Sequence, residues 1–371
     1  MTLFEKGLQN LPAFRQLAAD VTAGRLPAAV TGVSLVHKAL LLHGLQAATG
    51  RRLVILAGEE AEAHRLVEDL RAFGQRVVLL PARDLSLRQV ESVSREYEQQ
   101  RLGALASFLN GGADCIVATA DAAMQYTLSP DVLLDHTLDI MADRPLPVEN
   151  LAETLTAAGY ERCTQVESAG QFAVRGGIVD IYPADAGAPL RLELWGDTVD
   201  TLSYFDPATQ RRTDPLDGVS IPPAAEILCD FPAELAEKIR TLAASLKGKS
   251  AEAKTALLAD ADRLMTGGAP ASLDKYIPLL YDTTATLFDY AEDALPVVLE
   301  PAKVKERART YLWQLEEDIT ALLAEGQLCR GLTEYAMDWD TLSRRLAEGC
   351  VTMDAFARSS EWPMKGLYNL T

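Results

Sequence analysis

The sequence predicts an α/β protein: a parallel sheet covered by helices, carrying an inserted small α+β domain with an antiparallel sheet. Three observations predict it. Short apolar runs alternate with helical periodicity over residues 1–144, closely spaced strands broken by Gly, Pro and Asp fill residues 145–225, and one more apolar run at 287–301 follows a helical stretch. The expected domains are therefore the first part of the α/β domain (1–144), the insert (145–225), and a helical insertion with the rest of the α/β domain (226–371).

The elements follow in order. "RRLVILAG" (51–58) is a buried parallel strand ending in Gly, and "EEAEAHRLVEDLRAFG" is a helix with Ala63, Leu66, Val67, Leu70 and Phe73 on one face, closed by Gly74. "QRVVLLPA" gives the next strand, "SVSREYEQQRLGALASFLNGG" a helix stopped by glycines, and "ADCIVATADAAMQ" a strand with a small-residue turn. "LPVENLAETLTAAGY" is one helix ending at Gly159. The strands "ERCTQVES", "QFAVRGGIVDIYP" and "PLRLELWGDTVDTLSYFDP" follow it, with Gly176–Gly177 expected at a bend. From about 231 the chain turns helical. "LFDYAEDALPVVLEP" (287–301) then returns a strand to the first sheet, and 302–347 is a charged helical stretch with a solvated face. The last residues, "EWPMKGLYNLT", carry no closing signal, which raises the expectation of a fragment of a longer protein.

Composition excludes several classes. No run of 18 apolar residues exists to span a membrane, and the N-terminus lacks the apolar core of a signal peptide. Five scattered cysteines without CxxC spacing fit a reducing cytosol and argue against structural zinc, and four histidines form no metal motif. A net charge of -18 repels phosphate backbones on average; it reads either as simple solubility or as a sign that any nucleic-acid contact lies on a partner or on a part of the protein outside this chain.

Two stretches carry candidate chemistry. In "VTGVSLVHKALLLHGL" an apolar run and a turn lead into a helix, as in a phosphate-binding loop, G-x-x-x-x-G-K-[ST]. With Gly32 as the first glycine, His37 falls on the second, Lys38 on the lysine and Ala39 on the magnesium-binding hydroxyl. A histidine there is expected to cost roughly 1–2 kcal/mol in a left-handed conformation, and alanine ligates nothing. At the strand end "VVLEP", Leu299 replaces the expected aspartate while Glu300 remains. The pattern reads either as an ordinary strand-to-helix turn or as an eroded nucleotide site that still keeps a lysine able to hold an anion. In the insert, Arg191, Glu193 and Trp195 share one face of a strand by period two, and Arg175 can reach that face from the next strand. Arginine with tryptophan on a half-exposed sheet is interface composition. The alternative is that both arginines pair with nearby carboxylates and Trp195 is core.

The ordered signatures G-Y-x-R, V-E-x-x-G-x-F-A-V-R-G-G-I-x-D-I-Y-P, R-L-E-L-W-G-D and F-D-P-x-T-Q-R resemble the UvrB-homology module of the bacterial transcription-repair coupling factors (Mfd), and the likeness extends over essentially the whole chain. This resemblance implies a P-loop, RecA/helicase-like domain with a degenerate nucleotide site and an inserted UvrA-binding-like domain. It also implies a non-catalytic role in nucleotide excision repair: recruiting UvrA to stalled RNA polymerase. The family's UvrA-contacting positions fall on Arg175, Arg191 and Trp195, the last usually phenylalanine in relatives. The full-length family protein is an ATP-dependent translocase on double-stranded DNA, with ATP used in its motor and no cofactor or metal implied for this chain. A cytoplasmic location, no membrane contact and a monomer are expected. The rival readings are a UvrB-like ATP-dependent DNA-damage enzyme and a structural support domain for the motor. UvrB keeps an intact loop and an aromatic-rich hairpin, whereas "ARDLSLRQVESVSREYEQQ" here offers the single tyrosine Tyr97.

Overall fold

The computed structural model describes residues 3–85, 87, 95–146, 148–247, 251–268, 270, 272–281, 284–356 and 360–370. Much of the hairpin-region stretch, Ser86 and residues 88–94, lies outside the described residues.

Helices α1 (Leu3–Gln9) and α2 (Pro12–Thr22) precede a strand–helix run: β1 (Ala28–Thr31), α3 (Leu35–Thr49), β2 (Leu53–Ala57), α4 (Glu60–Ala72), β3 (Val77–Leu80), α5 (Glu96–Leu109), β4 (Cys115–Thr119) and α6 (Ala120–Met124). Then α7 (Pro130–Asp135) and β5 (Leu138–Met141) lead into α8 (Val148–Ala157), β6 (Glu161–Arg162), β7 (Gln171–Arg175), β8 (Ile178–Ile181), β9 (Leu190–Trp195), β10 (Thr198–Phe205), β11 (Arg212–Pro215) and β12 (Gly218–Ile221). Helices α9 (Pro232–Ser245), α10 (Ala251–Met265) and α11 (Ile277–Leu280) follow. The chain finishes with β13 (Leu295–Leu299), α12 (Pro301–Ala324), α13 (Trp339–Gly349), β14 (Val351–Asp354) and β15 (Gly366–Asn369).

Seven parallel strands form the main sheet in the order β15-β1-β14-β13-β2-β4-β3. Strands β2 and β4 are buried along their whole length, as apolar runs covered on both faces must be. Alternation splits the core: Leu53, Ile55 and Ala57 pack with α3 and α4, while Val54 and Leu56 pack with α5, α12 and α13. The 287–301 segment does return to this sheet, as β13 between β14 and β2. Two strands of this sheet were not expected. Val351–Asp354 is an interior strand and Gly366–Asn369 an edge strand, so the stretch without a closing signal in fact borders β1. Four residues with Thr and Met in an apolar context show neither alternation nor length enough to mark a strand.

The second sheet has the order β11-β10-β9-β8-β7-β6 and is antiparallel except for the β6–β7 pair. "ERCTQVES" contributes only Glu161–Arg162. The Gly176–Gly177 pair is a tight turn rather than a bend: it joins β7 to β8, and Gly176 takes φ +60°, a conformation that favours glycine. Strand β5 pairs with β12 in a separate two-stranded ribbon. Where this unit, the main sheet and α9–α11 meet, the fully buried Glu226 accepts from Arg101 Nε at 3.0 Å, Arg83 lies 3.0 Å from it, and Arg83 donates to Asp274 at 2.9 Å.

Candidate functional sites: a closed loop and an exposed sheet face

Strand β1 ends at Thr31, Gly32 turns the chain at φ +85°, and α3 is already helical from Leu35. The loop is therefore shorter than a phosphate cradle. The Lys38 N–H that a bound phosphate would need donates instead to Ser34 O at 2.9 Å, inside the helix. His37 is helical and exposed, its Nδ1 3.0 Å from Ser34 Oγ. The left-handed strain expected at His37 is thus absent, because starting the helix a turn early removes the need for it. Ala39 is packed in the core.

Lys38 points at the end of β13. Its Nζ donates to Glu300 Oε1 at 2.8 Å and lies 3.5 Å from Glu62 Oε1, with 3% of the side chain exposed. Glu300 itself is left-handed, φ +47°, at the start of α12, and its Oε1 also accepts the Ala355 N–H at 2.8 Å. Glu62 Oε2 is buried with no hydrogen-bond partner among the described residues. The two residues that survived in the eroded motif have therefore found each other, with Leu299 behind them in the core. The Lys38 ammonium is thus engaged by carboxylates on two sides, contacts that an incoming phosphate would have to displace.

The inserted sheet is built differently. Leu190 and Leu192 face its core while Arg191, Glu193 and Trp195 alternate to the other side, as period two dictates. Register places Asp180 opposite Arg191, and Ile178 between Arg175 and Glu193. Asp180, 1% exposed, accepts from both arginines: Arg191 Nε at 2.6 Å and Nη2 at 2.8 Å, and Arg175 Nη2 at 2.5 Å. The Asp180 contact holds the Arg191 guanidinium above its ordinary pKa, against a smaller opposing effect of burial. Arg191 also lies over the Phe205 ring, 4.3 Å from its centroid. Glu193 pairs with Arg212. Arg175 is half-exposed, and Trp195, at the end of β9, is 85% exposed. The arginines do pair with a carboxylate, but Trp195 is not core. Sequence reasoning missed Asp180, although an aspartate inside the apolar "IVDIY" was a readable signal. Tyr97, also exposed, sits on α5.

A family model described as the UvrB interaction domain matches residues 138–227, which hold all of this face. The transcription-repair-coupling factor of Bacillus subtilis is 29% identical over 327 residues, 85% of this chain and 28% of that protein. The factor of Mycobacterium tuberculosis is 30% identical over 315 residues, 81% of this chain and 25% of that protein. That of Myxococcus xanthus is 27% identical over 350 residues, 90% of this chain and 29% of that protein. The chain is thus similar over most of its length to transcription-repair-coupling factors, and residues 138–227 match the UvrB interaction domain. It spans less than a third of the length of these relatives. No helix among the described residues is long and apolar enough to cross a membrane.

Proposed function

We propose that this module is a non-catalytic recruiter in transcription-coupled DNA repair, docking UvrA through the sheet face that carries Arg175, Arg191 and Trp195. The observation that carries the reading is Trp195: a large aromatic, 85% exposed, at the edge of an arginine cluster inside a UvrB interaction domain. Leaving that much apolar surface in water is unfavourable unless a partner covers it. In the whole protein the module would bring UvrA to stalled RNA polymerase in the cytoplasm, while contacts with polymerase and double-stranded DNA, and ATP-driven translocation, would belong to other parts of the protein. The net charge of -18 fits that division. The Lys38–Glu300 pair favours this reading over a UvrB-like ATP-dependent enzyme, since the lysine that would meet a phosphate is committed to carboxylates.

Titration of UvrA with the module and its variants tests the reading. Trp195→Ala and Arg175→Ala are each expected to weaken binding, together by at least ~2 kcal/mol, the scale of an interface hot spot. Wild-type affinity in the double variant would leave only the role of structural support for a motor.

A further inference from the structure

Arg191 belongs to the docking face, yet little of it is left to offer a partner. Its side chain is 13% exposed. Nε donates to Asp180 Oδ1 at 2.6 Å. Nη2 donates to Asp180 Oδ2 at 2.8 Å and to Gln210 Oε1 at 2.9 Å, and Nη1 donates to the Gln210 main-chain oxygen at 3.0 Å. These contacts use four of the five N–H groups a guanidinium carries. Phe205 covers one of its faces. Arg175, by comparison, is tied to Asp180 by one N–H and is 47% exposed.

The element that receives Arg191 is the turn after β10. Asp206 Oδ1 accepts from Ala208 N at 2.8 Å and Thr209 N at 3.4 Å, and Asp206 O accepts from Gln210 N at 2.7 Å. Gln210 Nε2 donates to Pro207 O at 2.8 Å. This cage holds Gln210 at φ +59°, a left-handed conformation that costs a residue with a Cβ. In that conformation its side-chain and main-chain oxygens both meet the same guanidinium. Backbone strain kept beside a binding face points to a positional role.

Building on the UvrA reading of this face, we propose that Gln210 is a positioning residue for docking. With Asp180 it immobilises Arg191, and because Arg191 and Arg175 share Asp180 Oδ2, it thereby sets where Arg175 points. Trp195 and Arg175 make the contact; Arg191 and Gln210 hold Arg175 in place.

The test is UvrA affinity at two salt concentrations, with melting temperature, for Gln210→Gly, Gln210→Ala, Arg191→Ala, the Arg191→Ala/Gln210→Gly double variant, Arg175→Ala and Trp195→Ala. Glycine tolerates the left-handed backbone and deletes the side chain while keeping the main-chain oxygen, so Gln210→Gly remains informative if Gln210→Ala folds poorly. Gln210→Gly is expected to weaken binding about tenfold. The double variant should bind no more weakly than Arg191→Ala alone, because the two residues act as a unit. Arg175→Ala should flatten the salt dependence, while Gln210→Gly and Arg191→Ala leave it as in the wild type. The proposal is overturned if Gln210→Gly binds normally while Trp195→Ala does not, if the two losses multiply in the double variant, or if Arg191→Ala flattens the salt dependence. Wild-type affinity in Trp195→Ala overturns the docking reading itself, and this proposal with it.

Discussion

The closed loop and the proposed docking face are both built from cations against carboxylates, and they differ in stoichiometry and in what surrounds them. At the loop one lysine meets two glutamates, Glu300 at 2.8 Å and Glu62 at 3.5 Å, with 3% of Lys38 exposed. On the sheet two arginines share one aspartate, with Arg175 half-exposed and Trp195 in solvent beside them. A buried cation held between two carboxylates must leave them to meet a ligand. A carboxylate outnumbered by arginines leaves donors over, and an aromatic left in water supplies the apolar surface to go with them. The presence of a lysine or arginine therefore says little about binding until its carboxylates are counted.

The largest effects should come from breaking buried pairs. Lys38→Met takes the ammonium from Glu300 and Glu62 and is expected to cost about 3–5 kcal/mol in urea unfolding, with no bearing on UvrA affinity. Adding Glu300→Gln, which keeps the acceptor for Ala355 N–H, should restore much of that. A loss under about 1 kcal/mol would mean that the pair is wet and the loop open. Glu226→Gln is expected to cost a similar amount at pH 7. Burial pushes the Glu226 carboxyl up, but Arg101 and Arg83 outweigh it and hold it below the ordinary glutamate value. A lowered folded pKa means stabilisation present above the unfolded value of about 4.3 and lost as pH falls through the folded value. The gap in stability between wild type and Glu226→Gln should therefore close below about pH 4; a gap independent of pH would show that the charge is not what holds the joint.

How much of this was legible differs between the two regions. Period two alone set Arg191, Glu193 and Trp195 on one face, and β7 to β10 lie in the stretches where alternation places strands. Lys38 and Glu300 were each visible as remnants of a motif, but 262 positions separate them and no local pattern says that they touch. The early start of α3 was hidden as well, since "SLVHK" suits a loop or a helix turn equally until Ala39 and Leu42 are seen in the core. Strands β14 and β15 escaped because four-residue strands of mixed composition are stabilised by their neighbours in the sheet rather than by their own pattern.

A middle-sized effect separates binding from stability. Trp195→Ala removes a side chain that touches mostly water, so unfolding free energy should change by no more than about 0.5 kcal/mol. UvrA affinity should nonetheless fall by about 2 kcal/mol, near thirtyfold. Equal losses in both measurements would place Trp195 among the packing residues and erase the contrast with the loop.

The smallest expected effect is none, and it bears most directly on the loop. Mg-ATP should leave the melting temperature of the wild-type module unchanged, where occupancy at 100 times Kd would add about 2.7 kcal/mol. Repairing the motif by His37→Gly and Ala39→Ser should also yield no ATP-dependent shift. The glycine would sit inside a helix, costing about 1 kcal/mol without freeing any N–H, because Lys38 N remains bonded to Ser34 O. The lysine would stay on Glu300. A shift that emerges in the repaired variant would show that α3 can unwind by a turn and Lys38 can leave its carboxylates. The barrier to nucleotide would then lie in two side chains, and not in the helix register and the carboxylate pairing of Lys38.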